Sequence, residues 1–410
     1  MAKTVELKLT GIAHGGEAMG RLGPRTIFVA YALPGETVRV DLVEEHERWA
    51  RGELRQVLAS SPQRLEPSCP HFGPGRCGGC QWQHMTLAAQ REYKRQIVVD
   101  QMERLGNVRT PPVQATLGAG PEWAYRTQAV FLPSGEGHLG QRRQHRAGVH
   151  PIDHCPVLHP GLAALYDEFN AEWEGLRSVD FSVGLSDQQR LVTLRTQADE
   201  PPEIEVDVPV SIALETSSGE VQPLIGDPYY FTPLRGHSYR WSAGTRRPVN
   251  LAATALLMGV VADYLAPGSA SSLLDLWCGN GLHLVDLASR VEAVTGIEEH
   301  PIAIEDCALN SDTLRNVTLH EGAPADVLPY LSEAWALAVM TPPGEGLAAQ
   351  VAEPLAQMGV RRLVYVAHSP AWLARDLRDL QRAGFHLKEV TPVDVAPQTY
   401  FVTAVALFKR

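Results

Sequence analysis

The stretch SSLLDLWCGNGLHLVDLA, residues 271–288, decides the fold of the C-terminal part of the chain. An apolar strand from Leu273 to Leu276 leads into a Gly-x-Gly turn at Gly279 and Gly281, and a helical pattern follows. From about residue 249 onward the chain alternates strands and helices in this way, which is typical of a parallel sheet with crossover helices. The sequence therefore predicts an α/β, Rossmann-like domain.

The next strand, in VTGIEEHPIAIEDCALN (294–310), ends in an acidic residue, Glu298. In such a unit the glycines let a ligand approach the backbone, and an acidic residue about 20 positions on accepts the ribose hydroxyls. The third glycine of a dinucleotide-binding loop is absent. A nucleoside without a pyrophosphate, such as S-adenosylmethionine (SAM), therefore fits better than a dinucleotide, and a crevice without a ligand is the alternative.

Four of the six cysteines indicate a metal centre. Cys69, Cys77 and Cys80 fall within twelve residues of a Pro- and Gly-rich segment, SCPHFGPGRCGGCQWQH, and Cys155 supplies a fourth thiolate. A structural disulfide is unusual in a cytosolic chain, whereas four cysteines can hold a tetrahedral zinc ion or a [4Fe–4S] cluster. The spacing alone leaves both metals open.

The charge of the chain is unevenly distributed. Residues 1–150 contain 19 Lys and Arg against 14 Asp and Glu, a balance of +5, whereas residues 151–410 have a balance of −16. A basic first part suits contact with an anionic polymer, although ordinary surface variation explains the numbers equally well.

Upstream of the α/β part, residues 4–60 are rich in β-branched residues separated by Gly and Pro turns, which predicts a small β-barrel. Residues 86–105 have apolar positions at helical spacing. From Tyr125, YRTQAVFLPSGEGHLGQRRQHR predicts a strand pair with a basic tip at Arg142, Arg143 and Arg146. We expect this tip to contact RNA.

The N-terminus has no basic-then-apolar pattern of a signal peptide. No apolar run approaches the ~18–20 residues that span a bilayer. These observations predict a cytoplasmic protein with no membrane partner.

The order of these pieces resembles the RNA uracil-C5 methyltransferases that carry a four-cysteine iron–sulfur cluster. The resemblance covers the whole chain and rests on the predicted barrel and on five segments, which are CGGCQWQH (77–84) with Cys155, DLWCGNG (275–281), GIEEHPIAIEDCALN (296–310), TPPGEG (341–346) and SPAWLARDL (369–377).

The resemblance implies three domains: a TRAM/OB-like β-barrel (1–62), a β-rich central RNA-binding domain with a four-cysteine cluster (63–235), and a class I SAM methyltransferase domain (236–410). It also implies a [4Fe–4S] cluster, with zinc as the alternative, at Cys69, Cys77, Cys80 and Cys155. The implied SAM site is Trp277, Gly279, Gly281 and Glu298. The implied partner is ribosomal or transfer RNA.

The catalytic residues of the family do not carry over. In the family a cysteine thiolate adds to C6 of uracil, SAM donates its methyl group to C5, and a glutamate removes the C5 proton. In this sequence His368 occupies the position of the nucleophile and Thr403 that of the base. The Asp-Pro-Pro-Arg turn has become Thr-Pro-Pro-Gly (341–344), and Trp241 aligns with a glutamine that contacts SAM in the family.

These replacements lead to three hypotheses. The chain is an RNA-binding protein that has lost the covalent chemistry, a SAM-dependent RNA methyltransferase that acts on another atom, or a uracil-C5 methyltransferase that uses a route not visible in the sequence. Imidazole is a poor substitute for a thiolate, because its addition to C6 leaves an unfavourable zwitterion. Cys278 and Cys307 are expected to be packing residues. The first hypothesis is preferred.

Overall fold

A computed structural model describes residues 3–135, 137–169, 173, 175–185, 189–197, 204–344, 346 and 348–410 of the chain. In these residues no helix combines the length and the apolar character needed to cross a membrane.

The N-terminal segment forms a closed five-stranded barrel with strand order β1-β2-β3-β5-β4. Its strands are β1 (Thr4–Ile12), β2 (Ala18–Leu22), β3 (Arg25–Val29), β4 (Thr37–Glu45) and β5 (Trp49–Ala59). Alternate residues of β4, namely Val38, Val40 and Leu42, are buried inside the barrel, as the period of two along a strand requires. The predicted small barrel is confirmed.

Helix α1 (Leu87–Arg104) follows the cysteine segment, and the hydroxyl of Thr86 caps its N-terminus by accepting from the amide of Ala89. The predicted helix is confirmed, but it contributes to a distant core. Val98 and Met102 pack with residues of the C-terminal α/β part, so this core crosses the domain bounds proposed from the sequence. Those bounds stay a prediction.

The central segment contains a seven-stranded sheet with order β12-β11-β10-β9-β6-β7-β8. Its elements are β6 (Gln128–Gly135), β7 (His138–Arg142), β8 (Val149–Pro151), α2 (Pro160–Glu168), β9 (Leu176–Val183), β10 (Arg190–Thr196), β11 (Ser211–Glu215) and β12 (Val221–Ile225). The strand pair predicted from Tyr125 onward is β6 with β7. A separate hairpin follows, formed by β13 (Tyr229–Leu234) and β14 (His237–Ser242).

The C-terminal part is a doubly wound sheet with order β17-β16-β15-β18-β19-β21-β20, in which β21 runs antiparallel to both of its neighbours and the other pairs are parallel. Its elements are α3 (Leu251–Leu265), β15 (Ser272–Leu276), α4 (Leu282–Ala288), β16 (Ala293–Glu298), α5 (Pro301–Asn310), β17 (Val317–Glu321), α6 (Pro324–Val327), β18 (Leu337–Met340), α7 (Ala348–Gln357), β19 (Arg362–Ala367), α8 (Pro370–Arg382), β20 (His386–Val393) and β21 (Thr403–Lys409). The predicted α/β domain is confirmed.

The strand order reverses direction between β15 and β18, because the chain first builds outward to β17 and then returns to place β18 beside β15. Ligands of such sheets bind at this switch point, outside the carboxyl ends of the strands. The Gly-x-Gly turn follows β15, and the Thr-Pro-Pro-Gly turn follows β18. The fold therefore brings both turns to one crevice, and the turn at His368, after β19, lies one strand further along.

Candidate functional site

The glycine loop after β15 has the backbone that its sequence predicts. Gly279 and Gly281 have φ angles of +56° and +90°, a region that L-residues with a side chain rarely adopt. A Cβ atom on Gly279 would enter open space, whereas one on Gly281 would lie 2.8 Å from the Cys307 sulfur. Gly281 is thus needed for packing, and Gly279 leaves the backbone accessible to a ligand.

Glu298 lies at the end of β16, directly beside this loop. Its Oε2 accepts a hydrogen bond from the Gly279 amide and its Oε1 accepts one from the His300 amide, both at 2.8 Å. Each carboxylate oxygen retains a free lone pair, so an anchored carboxylate remains able to accept a ligand hydroxyl.

Trp277, at the start of the loop, has a left-handed backbone with φ +54°. Its indole is buried and packs with Leu274 and Ile297 in the core. Of the four residues of the implied SAM site, Trp277 is the one whose side chain serves the core.

Asp275 was not singled out from the sequence. It lies in β15 with 0% of its surface exposed, and neither carboxylate oxygen meets the distance and angle of a hydrogen bond in the described residues, although the Leu284 amide is near enough to favour the charged form. Burial raises the pKa of this carboxyl well above its ordinary value of 3.8. The signal in the sequence was an acidic residue inside an otherwise apolar strand, since a buried carboxylate is costly unless a partner compensates it.

A second buried polar atom without a partner in the described residues lies at the same crevice. It is the hydroxyl of Thr341, whose amide donates to the Leu276 carbonyl at the end of β15. The hairpin strand β14 contacts the loop from another side, because the Asn280 amide nitrogen donates to the Arg240 carbonyl at 3.1 Å. Trp241, the neighbour of Arg240, is buried. A glycine loop, an anchored acid and two unpaired polar groups therefore surround one crevice.

His368 and Thr403 are brought together by the pairing of β19 with β21. The Nδ1 atom of His368 lies 3.4 Å from the Thr403 hydroxyl oxygen. His368 is exposed to solvent, whereas Thr403 is buried beneath it. We refer to the place where these two side chains meet as the recess. Desolvation by the surrounding protein, together with the nearby Arg246 cation, lowers the pKa of His368. Arg246 is exposed and has no ion pair or hydrogen bond in the described residues.

No thiol replaces the missing nucleophile. Cys278 and Cys307 are both buried, as expected of packing residues. Hydrogen bonding to the Cys307 thiol, together with burial, raises the pKa of Cys278 well above its ordinary value. Cys278 is therefore not a ready source of thiolate, and Cys307 is enclosed by the core.

The other four cysteines line one cavity of about 20 Å³, as their spacing predicted; they are Cys69, Cys77, Cys80 and Cys155. Burial raises the pKa of Cys77 to about 12 and that of Cys155 to about 11. The Arg126 guanidinium lies beside the cavity and opposes this shift at Cys155. In the described residues, no group of three or more His, Cys, Asp and Glu side chains is arranged to hold a single metal ion.

The basic tip after β7 packs on the cysteine segment and the barrel. The Arg142 carbonyl accepts from the Gly78 amide, and the Arg143 guanidinium donates to the Gly75 carbonyl at 2.5 Å. Arg146 forms an ion pair with Glu53 of β5 at 3.3 Å. Arg143 and Arg146 of the predicted basic tip therefore contribute to holding it against the cysteine segment and the barrel.

Comparison with known proteins agrees with this architecture. Residues 2–54 match the TRAM domain family. The chain is 34% identical to an uncharacterized RNA methyltransferase of Streptomyces avermitilis, covering 100% of this chain and 99% of the relative. It is 31% identical to the 23S rRNA (uracil(1939)-C(5))-methyltransferase RlmD of Alkalilimnicola ehrlichii, covering 99% and 96%.

Among solved structures, the tRNA (uracil-54, C5)-methyltransferase of Pyrococcus abyssi, in complex with S-adenosyl-L-homocysteine, superposes with a TM-score of 0.76. It is 19% identical, and the match covers 98% of this chain and 100% of that one, so it supports the shared fold. Together with the full-length relatives, the TRAM barrel and the doubly wound domain lead to one conclusion: the chain belongs to the RNA uracil-C5 methyltransferase family.

Proposed function

We propose that this protein binds RNA and SAM but does not carry out the covalent methylation of uracil C5. The observation that carries the proposal is the His368–Thr403 pair, whose residues the sequence resemblance aligns with the family's thiolate and glutamate. C5 of uracil accepts a methyl group only after a strong nucleophile has added to C6. All six cysteines are accounted for elsewhere, four at the cavity and two buried.

The crevice after β15 supports SAM binding. Gly279 leaves room for a ligand, and Glu298 keeps lone pairs for the ribose hydroxyls. The unpaired carboxylate of Asp275 and the hydroxyl of Thr341 suit the charged amino acid part of SAM. When bound, SAM supplies an electrophilic methyl group. The related Pyrococcus abyssi structure holds the demethylated product of this cofactor.

RNA is the proposed macromolecular partner. A relative of nearly full length is named for 23S rRNA and the structural neighbour for tRNA, so we propose a ribosomal or transfer RNA target in the cytoplasm. The basic excess lies in residues 63–150, which hold 11 Lys and Arg against 6 Asp and Glu. We therefore propose this first part of the central segment (63–235) as the main binding surface. Arg142 and Arg143 of the basic tip remain candidates for phosphate contacts.

We further propose that the four-cysteine cavity holds a [4Fe–4S] cluster. The four thiols share one cavity, and four thiolates can hold either a zinc ion or a cluster. The resemblance of the cysteine segment to that of the family favours the cluster. Arg126, whose guanidinium lies beside Cys80 and Cys155, would offset part of the negative charge of the ligated cluster.

The intact crevice also favours a second candidate, methyl transfer to another atom of RNA. A ring nitrogen, an exocyclic amine or a ribose hydroxyl needs only alignment with SAM and a lone pair. His368, with its lowered pKa, is neutral near pH 7 and can accept a proton at the recess.

One experiment separates these functions. The purified full-length protein is incubated with methyl-labelled SAM and unmodified ribosomal and transfer RNA, and the nucleosides are identified by mass spectrometry. We expect RNA and SAM to bind with no 5-methyluridine formed. Another methylated nucleoside would establish the second candidate, and 5-methyluridine would overturn the proposal.

A further inference from the structure

The loop between β20 and β21 carries a stacked aromatic pair. The rings of Tyr400 and Phe401 lie 4.5 Å apart with an interplanar angle of 30°. Phe401 is 49% exposed, although it is large and apolar. Its amide is fixed by the Thr399 hydroxyl at 3.2 Å. Single apolar side chains on a surface are ordinary, but this ring is held at a defined position, as a binding surface requires.

Buried polar contacts hold this loop in place at its start. The ammonium of Lys94, in α1, is fully buried, forms an ion pair with Asp394 and donates to the Ala396 carbonyl at 3.0 Å. The Tyr125 hydroxyl donates to the Pro397 carbonyl at 2.9 Å. Such contacts are costly to break, because the groups would remain buried without partners.

Gln398, in the middle of the loop, is held by hydrogen bonds of both its backbone and its side chain. Its carbonyl accepts from the amides of Gln81 and Trp82, and its side chain and amide both bond to the side chain of Gln90. Since Gln81 and Trp82 follow Cys80 directly, the cysteine segment fixes the loop that presents Phe401. The aromatic pair is therefore preorganised.

Tyr400 supports Phe401 from the side of the barrel. A Cβ atom on Gly16 would lie 2.8–3.0 Å from Tyr400 atoms, so only glycine allows this close approach. Tyr400 is thereby clamped between the barrel and the Phe401 ring. Phe401 has one face against Tyr400, and much of its remaining surface faces solvent.

The surroundings of Phe401 indicate a nucleotide. Phe401 precedes Thr403 by two residues in the chain, and Thr403 contacts His368. Arg246 is exposed, and its cation is close enough to act electrostatically on the His368 imidazole. An aromatic face accepts a base by stacking, and a neighbouring cation accepts a phosphate. This pairing of groups favours an unpaired nucleotide of RNA over an apolar protein partner.

We propose that Phe401, supported by Tyr400, is a stacking platform for one unpaired base of bound RNA, with Arg246 contacting an adjacent phosphate. This inference rests on the proposed RNA-binding function and names the element of RNA that the recess selects. Base stacking does not depend on methyl transfer. The platform is therefore compatible with a protein that binds RNA without methylating it.

The test compares binding of the full-length protein to two RNAs of equal length, a hairpin with an unpaired loop and a fully paired duplex. Phe401→Ala should weaken hairpin binding about ten-fold and leave duplex binding unchanged. Phe401→Trp, which keeps an aromatic ring at this position, should bind the hairpin as tightly as the unmodified protein. Tyr330→Ala is the control, because Tyr330 is 87% exposed on a different element. Arg246→Ala should lower the salt dependence of hairpin binding, by roughly 0.7 in the slope of log affinity against log salt, whereas Phe401→Ala should not.

Unchanged hairpin affinity for Phe401→Ala, or equal losses on both RNAs with the fold intact by thermal unfolding, would overturn the platform while leaving RNA binding established. Failure of the unmodified protein to bind either RNA would overturn the proposed function and the platform together.

Discussion

The imidazole of His368 and the hydroxyl of Thr403 lie 3.4 Å apart although 35 residues separate them in the chain. The antiparallel pairing of β19 with β21 creates this proximity. The sequence aligns these two residues with the family's nucleophile and base. In the proposed function, their replacement removes the covalent chemistry although the strand pairing keeps the two positions together.

Restoring the thiol should restore covalent addition. We predict that the protein forms no lasting adduct with RNA containing 5-fluorouracil, and that His368→Cys does form one, because the added fluorine blocks release after the sulfur has bonded to C6. Denaturing gels and mass spectrometry detect the conjugate. His368→Ala is the control and should form none. An adduct with the unmodified protein would show that another nucleophile operates.

Two alanine substitutions in the glycine loop should separate folding from ligand binding. Both residues adopt left-handed backbone, so each substitution costs about 1–2 kcal/mol of stability. Gly281→Ala adds a clash with the Cys307 sulfur and should be the more destabilising. Gly279→Ala should fold but lose SAM affinity, because its Cβ enters the space left for the ligand.

Denaturant unfolding and titration calorimetry with SAM measure the two effects. Normal SAM binding by Gly279→Ala would place the cofactor away from this loop.

Asp275→Asn should stabilise the protein without ligand and weaken SAM binding. Because burial raises the pKa of Asp275 above 3.8, its protonated form is favoured in the folded state. That contribution to stability is complete below about pH 4 and is lost as the pH rises through the raised pKa. The advantage of Asp275→Asn should therefore grow with increasing pH.

Thermal unfolding from about pH 4 to about pH 8, the range in which buried carboxyls with a raised pKa titrate, measures this difference. Asp312→Asn, at an exposed aspartate, is the control and should show no trend. A pH-independent difference would mean that the carboxyl is charged throughout.

The proposed cluster predicts iron and sulfide in the protein purified without oxygen, with visible absorbance. Cys155→Ser should lose both, since the residue lines the cavity, whereas Cys307→Ser removes a buried thiol elsewhere and should keep them. Metal analysis and absorbance spectra measure the outcome. One zinc per chain with no sulfide would favour the alternative metal centre.

Local patterns made much of the site predictable. Gly279, Gly281 and Glu298 belong to one strand–turn–helix–strand unit, and three of the four cavity cysteines lie within a single loop. Long-range relationships were not visible in the same way. The helical spacing of α1 predicted a helix but not that Val98 and Met102 pack against a sheet some 170 residues away, because amphipathic spacing records burial and not the partner.

The sequence also did not show which side chains are exposed or which buried polar atoms lack a hydrogen-bond partner. Asp275 stood out in the sequence only as an acid in an apolar strand, and its lack of a partner required the packing around it. Phe401 belongs to an ordinary-looking loop, and the buried contacts that fix it come from residues about 300 positions earlier. Stacking surfaces formed by distant segments leave no short motif.

Loss of the buried Lys94–Asp394 pair should loosen the loop that carries Phe401. Lys94→Met leaves the buried Asp394 carboxylate with only the more distant Arg91 guanidinium, 4.0 Å away, and loss of a partner from a buried pair costs up to about 3–5 kcal/mol. Hydrogen exchange of residues 394–402 should accelerate, and hairpin binding should fall even though residue 94 is buried and far from contact with RNA. Arg95→Met is the matched control, since its half-buried guanidinium has Glu92, on the same helix face, as its one ion-pair partner among the residues that the structure describes. Adding Asp394→Asn to Lys94→Met should recover part of the stability, because the uncompensated charge is then removed. Unchanged exchange in Lys94→Met would show that the contacts of Gln398 and Tyr125 hold the loop without the ion pair.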